Sequence, residues 1–197
     1  MNHDNYPDTF IRGILNTVKT AAMVGISPKD NRPSYFAFKY LLERGYRMIP
    51  LNPGQAGKDI LGQKVYAKLA EIPEPVDMVD VFRASPFAPG VVDEALTMTP
   101  RPAVIWMQLG VRNDEAAAKA EAAGLKVVMN RCPKIEYGRL SSEIGWIGVN
   151  SRTLSSKRAP LLGRGVQRMS LNRSTMSGGS TEAAERAAQD TNQGTKS

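Results

Sequence analysis

An α/β domain, doubly wound around a parallel sheet of about five strands, is what three features of this sequence predict. Five short β-rich runs alternate with stretches carrying the 3.6-residue period of amphipathic helices, the signature of a parallel sheet covered on both faces. The runs and helices are separated by Gly, Pro and Asn signals at the expected joints. The first run, Thr20–Val24, breaks at Gly25 into Ser-Pro-Lys-Asp-Asn-Arg before a helix pattern opens at Pro33-Ser34. Such a strand–turn–helix points free backbone N–H groups at an anion.

In order, Asp8 is expected to cap a first helix in which Phe10, Ile11, Ile14, Leu15 and Val18 share one apolar face. After strand one and its loop, a helix from about Pro33 to Arg44 turns Tyr35, Phe38, Leu41 and Leu42 inward, with Gly45 past its end. Strand two, Tyr46–Leu51, ends at Asn52-Pro53. Residues 54–62 read as a loop with three glycines, and 67–72 as a short helix. Strand three, Asp77–Phe82, ends on Arg83, and Ser85-Pro86 opens a helix whose Val91, Val92, Ala95 and Leu96 face inward. Strand four, Ala103–Met107, runs into Gln108-Leu109-Gly110. Asn113 caps an alanine-rich helix with Asp114 and Glu115 in its first turn, and Gly124 closes it. Strand five, Lys126–Met129, leads into Asn130-Arg131-Cys132-Pro133. Right-handed crossovers and a doubly wound order place strand one at the centre.

Ligands of such folds bind beyond the carboxyl ends of the strands. The residues there are Gly25 and Ser27, Asn52 and Pro53, Arg83, Gln108 and Gly110, and Asn130 and Arg131. They are polar, and Arg32, Arg83 and Arg131 suit a phosphate-bearing ligand. Gly25 removes a side chain where a ligand comes close, and Lys29 adds charge to the first loop. Two features argue against NAD: the fingerprint G-x-G-x-x-G is absent, and strand two ends in Leu51-Asn52-Pro53 with no carboxylate for a ribose.

Composition sets the remaining bounds. The 197 residues suffice for one domain, residues 1–145, and a tail, residues 146–197. Neither a signal peptide nor a run of the ~20 apolar residues that cross a bilayer is present, so no membrane role is expected. The single cysteine, Cys132, excludes an internal disulfide and fits a reducing compartment, the cytoplasm. The net charge is +7, but residues 1–150 hold 18 Lys and Arg against 16 Asp and Glu, while 151–173 hold six basic residues and no acid. The basic excess thus belongs to a Ser/Thr/Gly-rich tail expected to be mostly disordered. No aromatic residue interleaves its basic ones, which argues against nucleic acid.

The segments VGISPKDNRPSYFAFKYLLERGY, IPLNP, GKDILGQKVYAKLAEIP, VDMVDVFR, WMQLGV and VMNRCPKIE resemble, in order and spacing, the small bacterial CoA-binding proteins. Those are related to the CoA-binding domain of the succinyl-CoA synthetase alpha subunit. The resemblance spans roughly Leu15 to Leu140. It implies a Rossmann-like, nucleotide-binding fold with coenzyme A (or acyl-CoA) across the strand ends and its phosphates on the first loop. By position it implicates Gly25, Ser27, Arg32, Pro33, Asn52, Pro53, Arg83, Gln108, Gly110 and Asn130. The synthetases pass a phosphoryl group through a histidine in a second domain. The one histidine here, His3, lies in an N-terminal segment expected to fray, so phosphohistidine ligase activity is not expected.

No catalytic apparatus or metal-ligand cluster is legible. Cys132 beside Arg131 is placed to form a mixed disulfide with CoA, although a lone cysteine is more often a small buried hydrophobe. Asp77 and Asp80 have no partner acid or base identifiable from sequence. The leading expectation is a non-catalytic CoA-binding protein: a sensor, a carrier or a partner of an acyl-CoA enzyme. Two alternatives are an enzyme acting on a CoA thioester or nucleotide, with Arg83 or Cys132 in a chemical role, and an interaction protein working through its basic tail.

Overall fold

The computed structural model describes residues 1–141; the expected tail lies outside them. Helix α1 (Asp8–Thr17) leads into β1 (Thr20–Val24), α2 (Pro33–Glu43) and β2 (Arg47–Leu51). A two-stranded ribbon follows, β3 (Asp59–Ile60) and β4 (Gln63–Lys64), then β5 (Met78–Val81), α3 (Ala88–Thr97) and β6 (Val104–Met107). Helix α4 (Asp114–Ala122), β7 (Lys126–Val128) and α5 (Pro133–Leu140) complete the described chain.

The large sheet has the order β2-β1-β5-β6-β7, and every pair in it is parallel. This is the predicted Rossmann-like α/β architecture with one correction. The central strand is β5, and β1 lies one in from the edge, because the chain recrosses β1 after β2 and lays three strands on its far side. The reversal of strand order therefore falls between β1 and β5.

Alternation along the strands divides the core into two layers. Ala21, Met23, Met48, Met78, Val104, Trp106 and Val128 pack with Ile11, Ile14, Phe38 and Leu41, beneath α1, α2 and α5. Ala22, Ile49, Val79, Val81, Ile105 and Val127 pack with Val91, Val92, Ala95, Ala116, Ala117 and Ala120, beneath α3 and α4. The inner faces expected of α1 to α3 are the ones buried, with Phe10, Tyr35, Leu42 and Leu96 partly covered. Asn113 caps α4 as expected, its Oδ1 accepting the Ala116 N–H at 2.8 Å.

Three local expectations change. Asp8 lies inside α1 rather than capping it, and its carboxylate pairs with Arg139 of α5 at 2.7 Å. The glycine-rich loop contains the β3–β4 ribbon, whose turn residues Leu61 (φ 50°) and Gly62 (φ 73°) both take the left-handed conformation that a two-residue hairpin requires. Residues 67–72 form only a one-turn 3-10 segment, Leu69–Glu71. Helix α5 was not anticipated, although Pro133 at its first position is a helix-start signal.

Candidate functional site

Gly25 stands immediately beyond β1, where the strand order reverses, and takes φ 93°. A Cβ there would lie 2.6 Å from the Phe82 carbonyl oxygen and 3.0 Å from Arg83 Cδ. The glycine is thus required first by the protein's own approach of β1 to β5, rather than by a ligand. Its N–H donates to Leu51 O at 2.9 Å.

The first loop is fixed by two serines. Ser34, buried in the first turn of α2, accepts the Ser27 N–H on Oγ at 3.1 Å, and Ser27 Oγ accepts the Lys29 N–H at 3.2 Å. Pro33 has no N–H to leave unpaired, and the Tyr35 and Phe36 N–H groups return to the Arg32 carbonyl at 3.0 and 3.3 Å. The Ser34 N–H has no acceptor among the described residues, so this helix start offers a donor. Lys29 and Arg32 flank it, both exposed and neither in an ion pair among the described residues. Asn52 binds this loop to the next: Nδ2 donates to Ile26 O at 2.7 Å, and Oδ1 accepts the Gly54 N–H at 2.9 Å, capping the turn that begins at Pro53.

Beyond β5, exposed Arg83 passes over Gly25 and rests its guanidinium 5.5 Å from the Phe87 ring centre. Phe87 is 60% exposed, so the pair offers a charge and a flat apolar face side by side. Beyond β6 and β7, Gly110 (φ 80°) donates its N–H to Asn130 Oδ1 at 2.8 Å, and Asn130 is itself left-handed at φ 53°. That bond ties two strand ends together.

Arg131 differs from Arg32 and Arg83. It donates to Asn130 O at 3.0 Å and Asp4 O at 3.4 Å, lies 3.8 Å from the Glu136 carboxylate, and covers the Tyr6 ring. Among the described residues, two rim arginines stay out of ion pairs rather than three. The segment before α1 is also held down, contrary to expectation. The Tyr6 hydroxyl accepts the Met129 N–H at 2.8 Å and bonds His3 Nδ1 at 2.8 Å, Asp4 pairs with Arg112, and the terminal amine meets Glu121 at 3.2 Å.

Below the rim, Asp80 is fully buried beside an amide rather than an acid or a base. Gln108 Nε2 donates to its two carboxylate oxygens at 2.8 and 3.0 Å. Burial pushes the Asp80 carboxyl up to about 8, with the Gln108 bond opposing. Gln108, read from sequence as a rim residue, is only 4% exposed and spends its amide nitrogen inside. A single acid within the apolar run Met78–Phe82 was the available signal for this pair. Asp77, by contrast, pins the start of β1 through the Lys19 and Thr20 N–H groups at 2.8 and 2.9 Å. Cys132 precedes α5, half-buried against the α1–α2–α5 core layer. Burial, with a smaller push from Asp80, raises its thiol to about 11, so it is a thiol rather than a thiolate at neutral pH. Among the described residues, no helix is long and apolar enough to cross a membrane.

YneT, an uncharacterized protein of Bacillus subtilis, is 39% identical to the chain over 127 residues, covering 64% of it and 91% of YneT. The alpha subunit of an ADP-forming acetate–CoA ligase from Pyrococcus furiosus is 35% identical over 80 residues, which cover 39% of this chain but only 17% of the subunit. Among solved structures, a protein of Thermus thermophilus superposes with TM-score 0.65 at 36% identity, over 68% of this chain and 99% of its own. A hypothetical protein of Pyrococcus horikoshii does so with TM-score 0.65 at 38% identity, over 70% and 94%. The sequence pattern described as "CoA binding domain" matches residues 19–138, from just before β1 to the last turns of α5, and the chain belongs to that family.

Proposed function

We propose that the protein binds CoA or acyl-CoA non-catalytically across the carboxyl ends of its strands, as a sensor, a carrier or a partner of an acyl-CoA enzyme. One observation carries the reading. In a member of the CoA binding domain family, Arg32 and Arg83 stand exposed, without ion-pair partners among the described residues, at the point where the strand order reverses. Arg32 adjoins the unpaired Ser34 N–H at the start of α2, a combination suited to a diphosphate. Arg83 and Phe87 offer a cation beside an apolar face, which suits a phosphate next to a base.

In this reading Gly25, Ser27, Pro33, Asn52 and Pro53 shape the phosphate loop, and Gln108, Gly110 and Asn130 form the far side of the site. The thiol form of Cys132 favours binding over chemistry, and the one histidine, His3, is held by Tyr6 and Glu121. The single, unbridged cysteine favours a cytoplasmic protein. Calorimetric titration with CoA and with NAD tests the proposal. Stoichiometric CoA binding, unaccompanied by turnover of an acyl-CoA panel, is expected, and NAD binding as tight as CoA would overturn it.

A further inference from the structure

Asp80 occupies a costly position. It pairs in register with Met23 of β1 and with Trp106 of β6, which in turn pairs with Val128 of β7. Those three side chains are apolar and buried, and an apolar residue would complete the row at no desolvation cost. No cation among the described residues offsets the charge. Of the described groups around it, Cys132 just before α5 contributes only a protonated thiol, and the polar partner is Gln108 just past β6.

Gln108 is one row nearer the rim on the same face, directly past β6. Its Nε2 is engaged by both oxygens of Asp80, whereas Oε1 accepts no hydrogen bond among the described residues. No fully buried side-chain oxygen or nitrogen among those residues lacks a partner, so Oε1 reaches the surface at the strand ends. Without Asp80, either end of the amide is free to face outward; with it, the carbonyl does.

We propose that Asp80 is a positioning residue that holds Gln108 by its NH2 group, so that the Oε1 carbonyl meets an N–H donor of the bound ligand. The inference rests on the CoA reading above. CoA carries such donors in two places, the amides of its pantetheine arm and the amino group of its adenine. Protonation of Asp80 adds an O–H that competes for Oε1, so the acceptor is offered most fully by the carboxylate.

The test is a double-mutant cycle on the full chain with Asp80→Asn, Gln108→Met and their combination, titrated at pH 9, where Asp80 is a carboxylate, with CoA and with adenosine 3′,5′-bisphosphate, which lacks the pantetheine arm. Each single change should weaken CoA binding about three- to tenfold, the value of one hydrogen bond, and the pair should weaken it no further. Weakening confined to CoA assigns the donor to pantetheine, and equal weakening of the bisphosphate assigns it to adenine. Wild-type affinity in Asp80→Asn, or additive losses in the pair, would overturn the proposal alone; no CoA binding by the wild type would overturn it together with the reading beneath it. Should Asp80→Asn not fold, the pH profile decides. Wild-type affinity should fall between pH 9 and pH 6 relative to Gln108→Met, and parallel profiles refute the role.

Discussion

Gly25→Ala isolates the physical demand at the reversal of the sheet. Two costs add there. The backbone at φ 93° is left-handed, which costs an L-residue roughly 1–2 kcal/mol. The new methyl would stand 2.6 Å from the Phe82 carbonyl oxygen. That oxygen cannot yield easily, because the Phe82 N–H is bonded to Val24 O at 2.8 Å and β5 is the central strand. Overpacking of this kind costs a further 1–3 kcal/mol or so. The sum is about 2–5 kcal/mol, which lowers Tm by on the order of 10 °C for a domain of this size. Gly45→Ala is the internal control, because Gly45 has φ 86° but nothing within 4 Å of an added Cβ. It carries the backbone cost alone, roughly 1–2 kcal/mol. Urea unfolding of both variants, read at unchanged m-value, measures the difference. Equal losses would show that the β1–β5 approach imposes nothing beyond backbone conformation and would refute the reasoning.

Arg32→Ala should lower CoA affinity about tenfold or more, as loss of a charge-assisted bond does. It should leave the melting curve in place, since the side chain is exposed and unpaired; equal affinity in calorimetry removes Arg32 from the site. Asp80 holds its proton in the folded state up to about pH 8 but releases it near 3.8 when unfolded. Its contribution is therefore present below about pH 4, is lost as pH rises towards 8 and is flat above, a decline of at most several kcal/mol. Asp80→Asn should flatten the fall in urea midpoint between pH 5 and pH 9, and an unchanged slope contradicts the burial argument. With its thiol raised to about 11, Cys132 should react with iodoacetamide at pH 8 roughly a hundredfold more slowly in the folded protein than in urea. Comparable rates would mean that the thiolate is accessible.

The α/β class, the helix faces and the loops at the strand ends were legible in the sequence, because each depends on local patterning. A helix that must bury one side repeats its apolar residues every 3.6 positions, as Ile11, Ile14, Leu15 and Val18 do, whatever it packs against. Asn113 and Gly124 mark the ends of α4 through bonds and dihedrals within a few residues. The same locality explains why Pro33 and the loop before it could be read as the start of a helix open to an anion.

Strand order was different. Whether β1 lies at the centre or next to the edge depends on which side the chain turns after β2, and no residue of β1 records that choice. The fates of the rim side chains were equally hidden. Arg32, Arg83 and Arg131 are indistinguishable as letters, yet the last is bound by Asp4, Tyr6 and Glu136, two of them more than 120 positions away. Gly25 serves a close approach to Phe82, 57 residues on, and Asp80 finds its partner in Gln108 across a strand pair. Sequence periodicity reports which face a residue occupies. The side chain that faces it there is decided by long-range strand pairing, through distances of a few ångströms that only the assembled sheet creates.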